Sequence, residues 1–202
     1  MTMGFVAYLA LLAAMAVARV AELVHAQRLT AKAHDRGAAP QRENMFFVML
    51  LLHVLPFVLG PLEVQLFGRP FRPWLFLLSV AGLLILGVAR IWTLRTLGTM
   101  WNVRIVEPSR IVVEGPYRFV RHPNYAIVIA ELLLMPLAHG CWITLVVLSA
   151  LNAVVLSSRI PAEERMLFAR PGYAAAMGDK PRFIPRLRRR GAAPAVTSPP
   201  QV

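Results

Sequence analysis

The chain has 202 residues, 57% of them hydrophobic and 16% charged, with a mean hydropathy of +0.58. A soluble domain carries roughly 25% charged residues and has too little interior to hide this much apolar surface, which excludes an ordinary soluble globule and a disordered chain. Twenty-two Lys and Arg against 10 Asp and Glu give +12, which on so apolar a chain points to a membrane protein with basic loops, not to a nucleic-acid binder. The single cysteine, Cys141, excludes an internal disulfide and any multi-cysteine metal or iron–sulfur site.

A helix crosses the roughly 30 Å hydrocarbon core with about 20 mostly apolar residues. Met1 to Ala18 lacks Lys, Arg, Asp and Glu and predicts a first span over about 3–26. With no positive n-region and no small-residue cleavage site before a soluble domain, it reads as a retained anchor, not a signal peptide. Met45 to Leu62 is a second uncharged run, and Pro73 to Ala89 a third that continues through Arg90 to about Thr96. From Pro123 to Ser158 the one formally charged residue is Glu131. That stretch is too long for one span and fits two of about 18 residues. Pro136, His139 and Gly140 supply a tight turn between them, so a helical hairpin is expected over 123–138 and 141–160. The expected fold is all-α, a polytopic membrane protein with about five transmembrane helices, of which spans 4 and 5 form this C-terminal hairpin.

The basic residues set the topology. The first loop carries Arg28, Lys32, Arg36 and Arg42, and the third Arg95, Arg104, Arg110, Arg118 and Arg121. The C-terminal segment carries the rest of the excess, from Arg159 to Arg190, while the second loop holds only Arg69 and Arg72 and the hairpin turn none. The chain is thus expected in the cell (inner) membrane, N-terminus outside and C-terminus cytoplasmic, with the third loop and the C-terminal segment meeting on the cytoplasmic face. The tail from Gly191 to Val202 is Ala/Pro/Ser-rich and reads as disordered. The Arg186–Arg190 run before it suits either topology or anionic lipid headgroups; without interleaved aromatics it is a poor nucleic-acid patch.

No Gly-rich nucleotide fingerprint, P-loop, HExxH or Cys/His cluster is present, so neither soluble-type nucleotide binding nor a metal site is indicated. His25, His34, His53 and His139 are scattered and read as interfacial or loop-satisfied. Glu22, near the cytoplasmic end of the first span, is placed to snorkel or to pair with Arg19 or His25. Glu131, deep in the fourth span, admits function and structural pairing equally.

Chemistry gathers in two stretches. Residues 115–125 read GPYRFVRHPNY, just before the fourth span. Pro123 suits the first turn of a helix, whose free N–H groups favour an anion. Arg121 and His122 add donors, and Tyr117 and Tyr125 add ring faces and hydroxyls. These residues can hold a carboxylate and a flat polar group at the membrane surface; an interfacial belt uses the same residue types. The fifth span ends in SSRIPAEERML, residues 157–167, where Arg159 and Glu163 are one helical turn apart. A surface ion pair at a helix end has the same pattern, and Pro161 between them favours a kink. The hairpin would bring this end beside residues 115–125.

With both stretches in view, the chain resembles the isoprenylcysteine carboxyl methyltransferase family, integral-membrane methyltransferases that use S-adenosylmethionine without a Rossmann domain. The resemblance runs from about Thr99 to Leu187, through GPYRFVRHPNY, the apolar hairpin and Arg159-x-x-x-Glu163-Glu164 to Tyr173 and the PRFIP of residues 181–185. It is closer to the bacterial branch found with lipid-phenol and alkylpyrone methylation than to the eukaryotic CaaX-processing enzymes. The division it implies is N-terminal helices over 1–98, a methyltransferase region over 99–187 with a cytoplasmic cofactor pocket, and a basic tail over 188–202. By position, the resemblance implies His122, Pro123, Asn124 and Tyr125 as the core of the cofactor site, Tyr117 as its aromatic wall, and Ser109, Arg110, Ile111 and Val112 as the loop lining it. It implies Asn102 as a polar neighbour, Glu163 as the acidic cofactor contact and Arg159 as the catalytic residue facing the acceptor. Pro161 departs from the family pattern, as does Ala176, where an aromatic often stands.

The implied reaction is methyl transfer from S-adenosylmethionine to a carboxylate or a phenol or enol oxygen of a lipophilic acceptor arriving from the bilayer. A carboxylate needs no base. A phenol or enol needs one, with Glu163, Glu164 and His122 as candidates. Two alternatives share an RHPNY-like motif: an NADPH-dependent reductase of the steroid-reductase type and a phospholipid N-methyltransferase. Ala126 and Ile127 after the motif disfavour the reductase, in which a Gly and an acidic residue usually follow the Tyr.

Overall fold

A computed structural model describes residues 2–34, 46–102 and 108–185, excepting the side chains of 30–34 and 46. The expected tail beyond Pro185 and Arg36, Arg42 and Arg104 of the loops lie outside the described residues. Six helices follow in order: α1 (Met3–His34), α2 (Phe46–Phe67), α3 (Pro73–Leu97), α4 (Pro123–Leu137), α5 (Trp142–Phe168) and the short α6 (Tyr173–Met177). Two 3-10 turns, Gly98–Met100 and Gly115–Arg118, lie between α3 and α4, and no strand occurs among the described residues.

Among the described residues, four helices are long and apolar enough to cross a membrane, over Met3–Leu29, Phe47–Phe67, Pro73–Met100 and Trp142–Phe168. Their apolar side chains turn outward: Val17 is 71% exposed, Ile85 69% and Val146 63%. A soluble helix hides such residues; a lipid-facing helix shows them. The expected fourth span is shorter than the rest. α4 has 15 residues, about 22 Å at 1.5 Å per residue, against a core of about 30 Å. Pro123 occupies its first turn, where the missing N–H breaks no bond, and the chain turns back after Leu137. Gly140 takes the left-handed conformation this turn requires (φ +72°). α5 runs back beside α4 and continues past its start, so the hairpin is present and its arms are unequal. Pro161 does not break α5, which is continuous from Trp142 to Phe168; neighbouring helices allow such a proline in a membrane span.

The helices meet around buried clusters that include Phe5, Tyr8, Leu83 and Met135 toward one end, and Leu52, Val128, Leu148 and Val155 in the middle. Tyr8 is fully buried against Gly60, where a Cβ would collide with its hydroxyl. The starts of α2 and α4 and the ends of α1, α3 and α5 share the opposite end, the site end. Gly115 closes that end onto α3: its φ is +54° and a Cβ there would strike Thr96 Oγ1.

Away from the site end, Glu63 on α2 is 4% exposed and accepts the free N–H groups of Ile143 (3.1 Å) and Thr144 (2.7 Å) at the start of α5. Arg69 Nε and Nη2 hold the same carboxylate at 2.9 and 2.7 Å. One acidic side chain thereby caps a helix from another helix and satisfies donors that would otherwise be buried bare. Glu63→Ala is expected to cost about 2–3 kcal/mol, the value of buried hydrogen bonds to a charge. It should lower the melting temperature of the detergent-solubilised protein by several degrees, read by intrinsic fluorescence, while exposed Arg72→Ala leaves it unchanged.

Candidate active site

The two sequence stretches meet at the start of α4. The Tyr125 hydroxyl donates to Glu163 Oε2 and accepts from Arg159 Nε at 2.9 Å. Arg159 and Glu163 lie on one face of α5, as the four-residue spacing requires, with the phenol between them. The Arg159 guanidinium also reaches Met49 Sδ at 2.8 Å, tying α5 to α2.

Beside this trio, Glu164 is buried and saturated. His122 Nε2 donates to it at 3.1 Å, and Arg182 Nε and Nη2 grip it at 3.1 and 2.6 Å. Arg121 adds an ion pair at 3.4 Å. The bidentate Arg182 grip is the strong form of this contact, and its hydrogen bond with Glu164 raises the Arg182 pKa above its ordinary value. Backbone bonds complete the closure: Arg121 N–H donates to the Pro181 carbonyl and His122 N–H to that of Arg182, each at 2.9 Å. Residues 181–182 thus strap across the start of α4. The PRFIP stretch of residues 181–185 and the RHPNY stretch of residues 121–125 are bonded to each other.

A cavity of ≈ 460 Å³ opens between these elements. Its site-end wall comprises Trp101, Asn102, Pro108, Arg110, Ile111, Val112, Tyr117, Arg121, Tyr173 and Met177. His122, Asn124, Tyr125, Arg159 and Glu163 line its middle. An apolar lobe runs between α1 and α2, lined by Val20, Leu23, Leu50, Val54 and Phe57. Val20 and Val54 are half exposed on the lipid-facing side, so this lobe opens laterally. Burial, then the charge of Glu163, raises the Tyr117 hydroxyl above the usual phenol range and pushes Tyr173 up to about 12, so both stay protonated donors.

Of the residues singled out from sequence, Asn102, Arg110, Ile111, Val112, Tyr117, His122, Asn124, Tyr125, Arg159 and Glu163 line this one cavity. Ser109 and Pro123 do not. The Ser109 side chain is exposed and its carbonyl accepts from Arg170 Nη2 at 2.6 Å, while Arg170 also binds the Pro108 carbonyl. Arg170 thereby fixes the 108–112 loop. Pro123 is buried at the helix start.

Sequence reading missed a polar cluster inside the bundle. Arg90 on α3 pairs with Glu131 on α4, and its Nη1 lies 3.4 Å from both Glu22 Oε2 and Asn124 Oδ1. Arg19 joins Glu22 at 2.9 Å and Glu131 at 3.3 Å. Glu131, open between two readings in the sequence, is structurally paired, and Glu22 pairs with Arg19 as expected. The signal was present: Arg19, Arg90 and Glu131 each sit in an apolar run, and an ionisable group there needs a partner. Which partner depends on packing. Glu131→Leu strands Arg90 and Arg19 and is expected to cost about 3–5 kcal/mol, with Arg90→Leu/Glu131→Leu recovering part of it; denaturant titration in micelles measures both.

A helical membrane bundle with a half-enclosed polar pocket at one end and a lateral apolar opening is the architecture of an enzyme acting where bilayer meets water. Residues 77–169 match the isoprenylcysteine carboxyl methyltransferase family. The uncharacterized protein YpbQ of Bacillus subtilis (strain 168) is 37% identical over 160 residues, 78% of this chain and 94% of YpbQ. The chain belongs to the isoprenylcysteine carboxyl methyltransferase family, which makes it a membrane methyltransferase.

Proposed function

We propose that the protein transfers a methyl group from S-adenosylmethionine to an oxygen of a lipophilic acceptor that enters from the bilayer. The observation that carries this reading is Tyr125, held between Arg159 and Glu163 over a cavity that is polar at one end and open to lipid at the other. A zwitterionic, aromatic methyl donor fits the residues present. The volume lies in the range of roughly 300–1,000 Å³ that takes a drug-sized ligand. Arg121 lines the cavity with a guanidinium whose buried Nε has no hydrogen-bond partner, a place for a carboxylate. Glu163 suits a cationic centre, and Tyr117 and Tyr173 supply walls for a flat ring. The start of α4 adds the N–H groups of Asn124 and Tyr125.

When bound, S-adenosylmethionine supplies a methyl carbon on a sulfonium sulfur, open to in-line attack. The protein's part is placement, since most of the barrier falls when the reacting atoms are held about 3–3.5 Å apart and aligned. Glu163 and Tyr125 hold the donor side. Arg159, anchored by Tyr125 and Met49, presents its guanidinium to the developing charge on the acceptor oxygen. His122 holds Glu164 and so keeps the 181–182 strap closed. The lobe between α1 and α2 takes the acceptor's tail and excludes water from the reacting oxygen. The basic site end faces the cytoplasm, where the water-soluble donor is found, with five passages counting the short α4. The acceptor is a small lipid with an acidic oxygen, in keeping with the bacterial branch of the family.

His122→Ala and Arg121→Ala are expected to weaken S-adenosylmethionine binding about tenfold by calorimetry. Arg159→Ala should leave that affinity within about twofold and slow methyl transfer about 10²-fold, as loss of one charge-stabilising donor does. Mass spectrometry of lipid extracts from expressing and non-expressing cells, seeking a gain of one CH2, identifies the acceptor. An unaltered rate in Arg159→Ala removes that residue from the site.

A further inference from the structure

We propose that His53 is the proton acceptor of this reaction, so that the site takes acceptors whose nucleophilic oxygen still carries its proton, phenols and enols, in preference to carboxylates; this rests on the methyltransferase reading above. His53 sits on α2, away from both motif stretches, and lines the lobe that leads to Arg159. Its Nδ1 lies 2.7 Å from the Met49 carbonyl. A carbonyl has no hydrogen to give, so Nδ1 carries the proton and donates it. The neutral ring has one N–H, which leaves Nε2 as a bare lone pair. Met49 is also the residue whose sulfur touches Arg159. The imidazole therefore stands one helical turn from the side chain that touches Arg159. Asn152, two turns before Arg159 on α5 and 5% exposed, lines the same cavity with an amide that can orient a polar headgroup.

The other candidate bases face one another or fixed partners. Glu163 accepts from Tyr125, Glu164 is held by His122, Arg121 and Arg182, and His122 gives its Nε2 hydrogen to Glu164 and turns its Nδ1 to Glu163 Oε1 at 4.0 Å. A carboxylate acceptor offers only lone pairs, which a bare Nε2 repels; an O–H is what Nε2 accepts. In the step, the acceptor O–H bond breaks and its proton passes to Nε2. The oxygen's electron pair forms the new O–C bond with the methyl carbon, and the carbon–sulfur bond breaks with its pair returning to sulfur. His53 then gives the proton to solvent, so one proton is released per methyl transferred. Arg159 steadies the oxygen as its charge develops.

The test uses the full chain in nanodiscs with S-adenosylmethionine and three probes: 4-dodecylphenol, dodecanoate, and 4-dodecyl-2-nitrophenol at a pH where it is already ionised. The wild type should methylate 4-dodecylphenol faster than dodecanoate. His53→Gln should lower kcat on 4-dodecylphenol about 10²-fold, as loss of a general base does, with S-adenosylmethionine affinity by calorimetry unchanged. On the ionised nitrophenol the variant should match the wild type. A wild type that methylates dodecanoate and not the phenol overturns the assignment, as does a variant slowed equally on both phenols or on neither. In those outcomes the methyltransferase reading stands. A wild type that neither binds S-adenosylmethionine nor methylates any probe refutes both.

Discussion

The site depends on one buried carboxylate. Glu164 on α5 lies where the segment before α4 and the C-terminal strap meet it, the first supplying His122 and Arg121 and the second Arg182. A buried charge without partners costs several kcal/mol, so these three side chains are held as firmly to Glu164 as it is to them. The neighbouring position then follows. With Glu164 turned inward to His122, Glu163 is carried round the helix to Tyr125, and Arg159, one turn back, meets the same hydroxyl. The pocket is thus a consequence of where one helix turn must place its charges.

The same economy governs the bundle. Between lipid-facing walls of Val, Leu and Ile, the ionisable groups of α1, α3 and α4 face one another: Arg19, Glu22, Arg90 and Glu131 pair in a closed set of two cations and two anions. In hydrocarbon this is the arrangement in which such groups survive. The set reaches the motif through Asn124, which Arg90 holds, so the first turn of α4 is fixed from below by α3 and from above by the strap. Glu63 does comparable work at the far end by capping α5 across the bundle. Polar contacts that cross between helices set the register; the apolar contacts fill the space.

What could be read from residues alone was whatever is local. Apolar runs gave the helices, Pro136 through Gly140 gave the turn, and the spacing of Arg159 and Glu163 gave a common face. The motif pair placed Tyr125 and Glu163 together. Three features depend on packing and were not legible. Helix length was misjudged at two C-terminal ends: α1 runs to His34, beyond the expected end near residue 26, and α5 to Phe168, beyond the expected end at 160, because charge marks where apolar sequence stops and not where hydrogen bonding stops. Arg170 and Arg182 were counted as topology-setting charge and Arg90 as part of a span, yet each is bound to a specific carboxylate or carbonyl. His53, one of four scattered histidines, acquires meaning only when α2 is seen beside α5.

The central claim is that two stretches distant in sequence close on a single pocket for a charged methyl donor at the membrane surface. A cryo-EM structure of the full chain in nanodiscs with S-adenosylhomocysteine tests it most directly. The account predicts ligand density bounded by Tyr117, Tyr125 and Glu163, with Arg121 on its carboxylate and the apolar lobe between α1 and α2 left for the acceptor. Density elsewhere on the bundle, or Tyr125 and Glu163 standing apart with nothing between them, would contradict it.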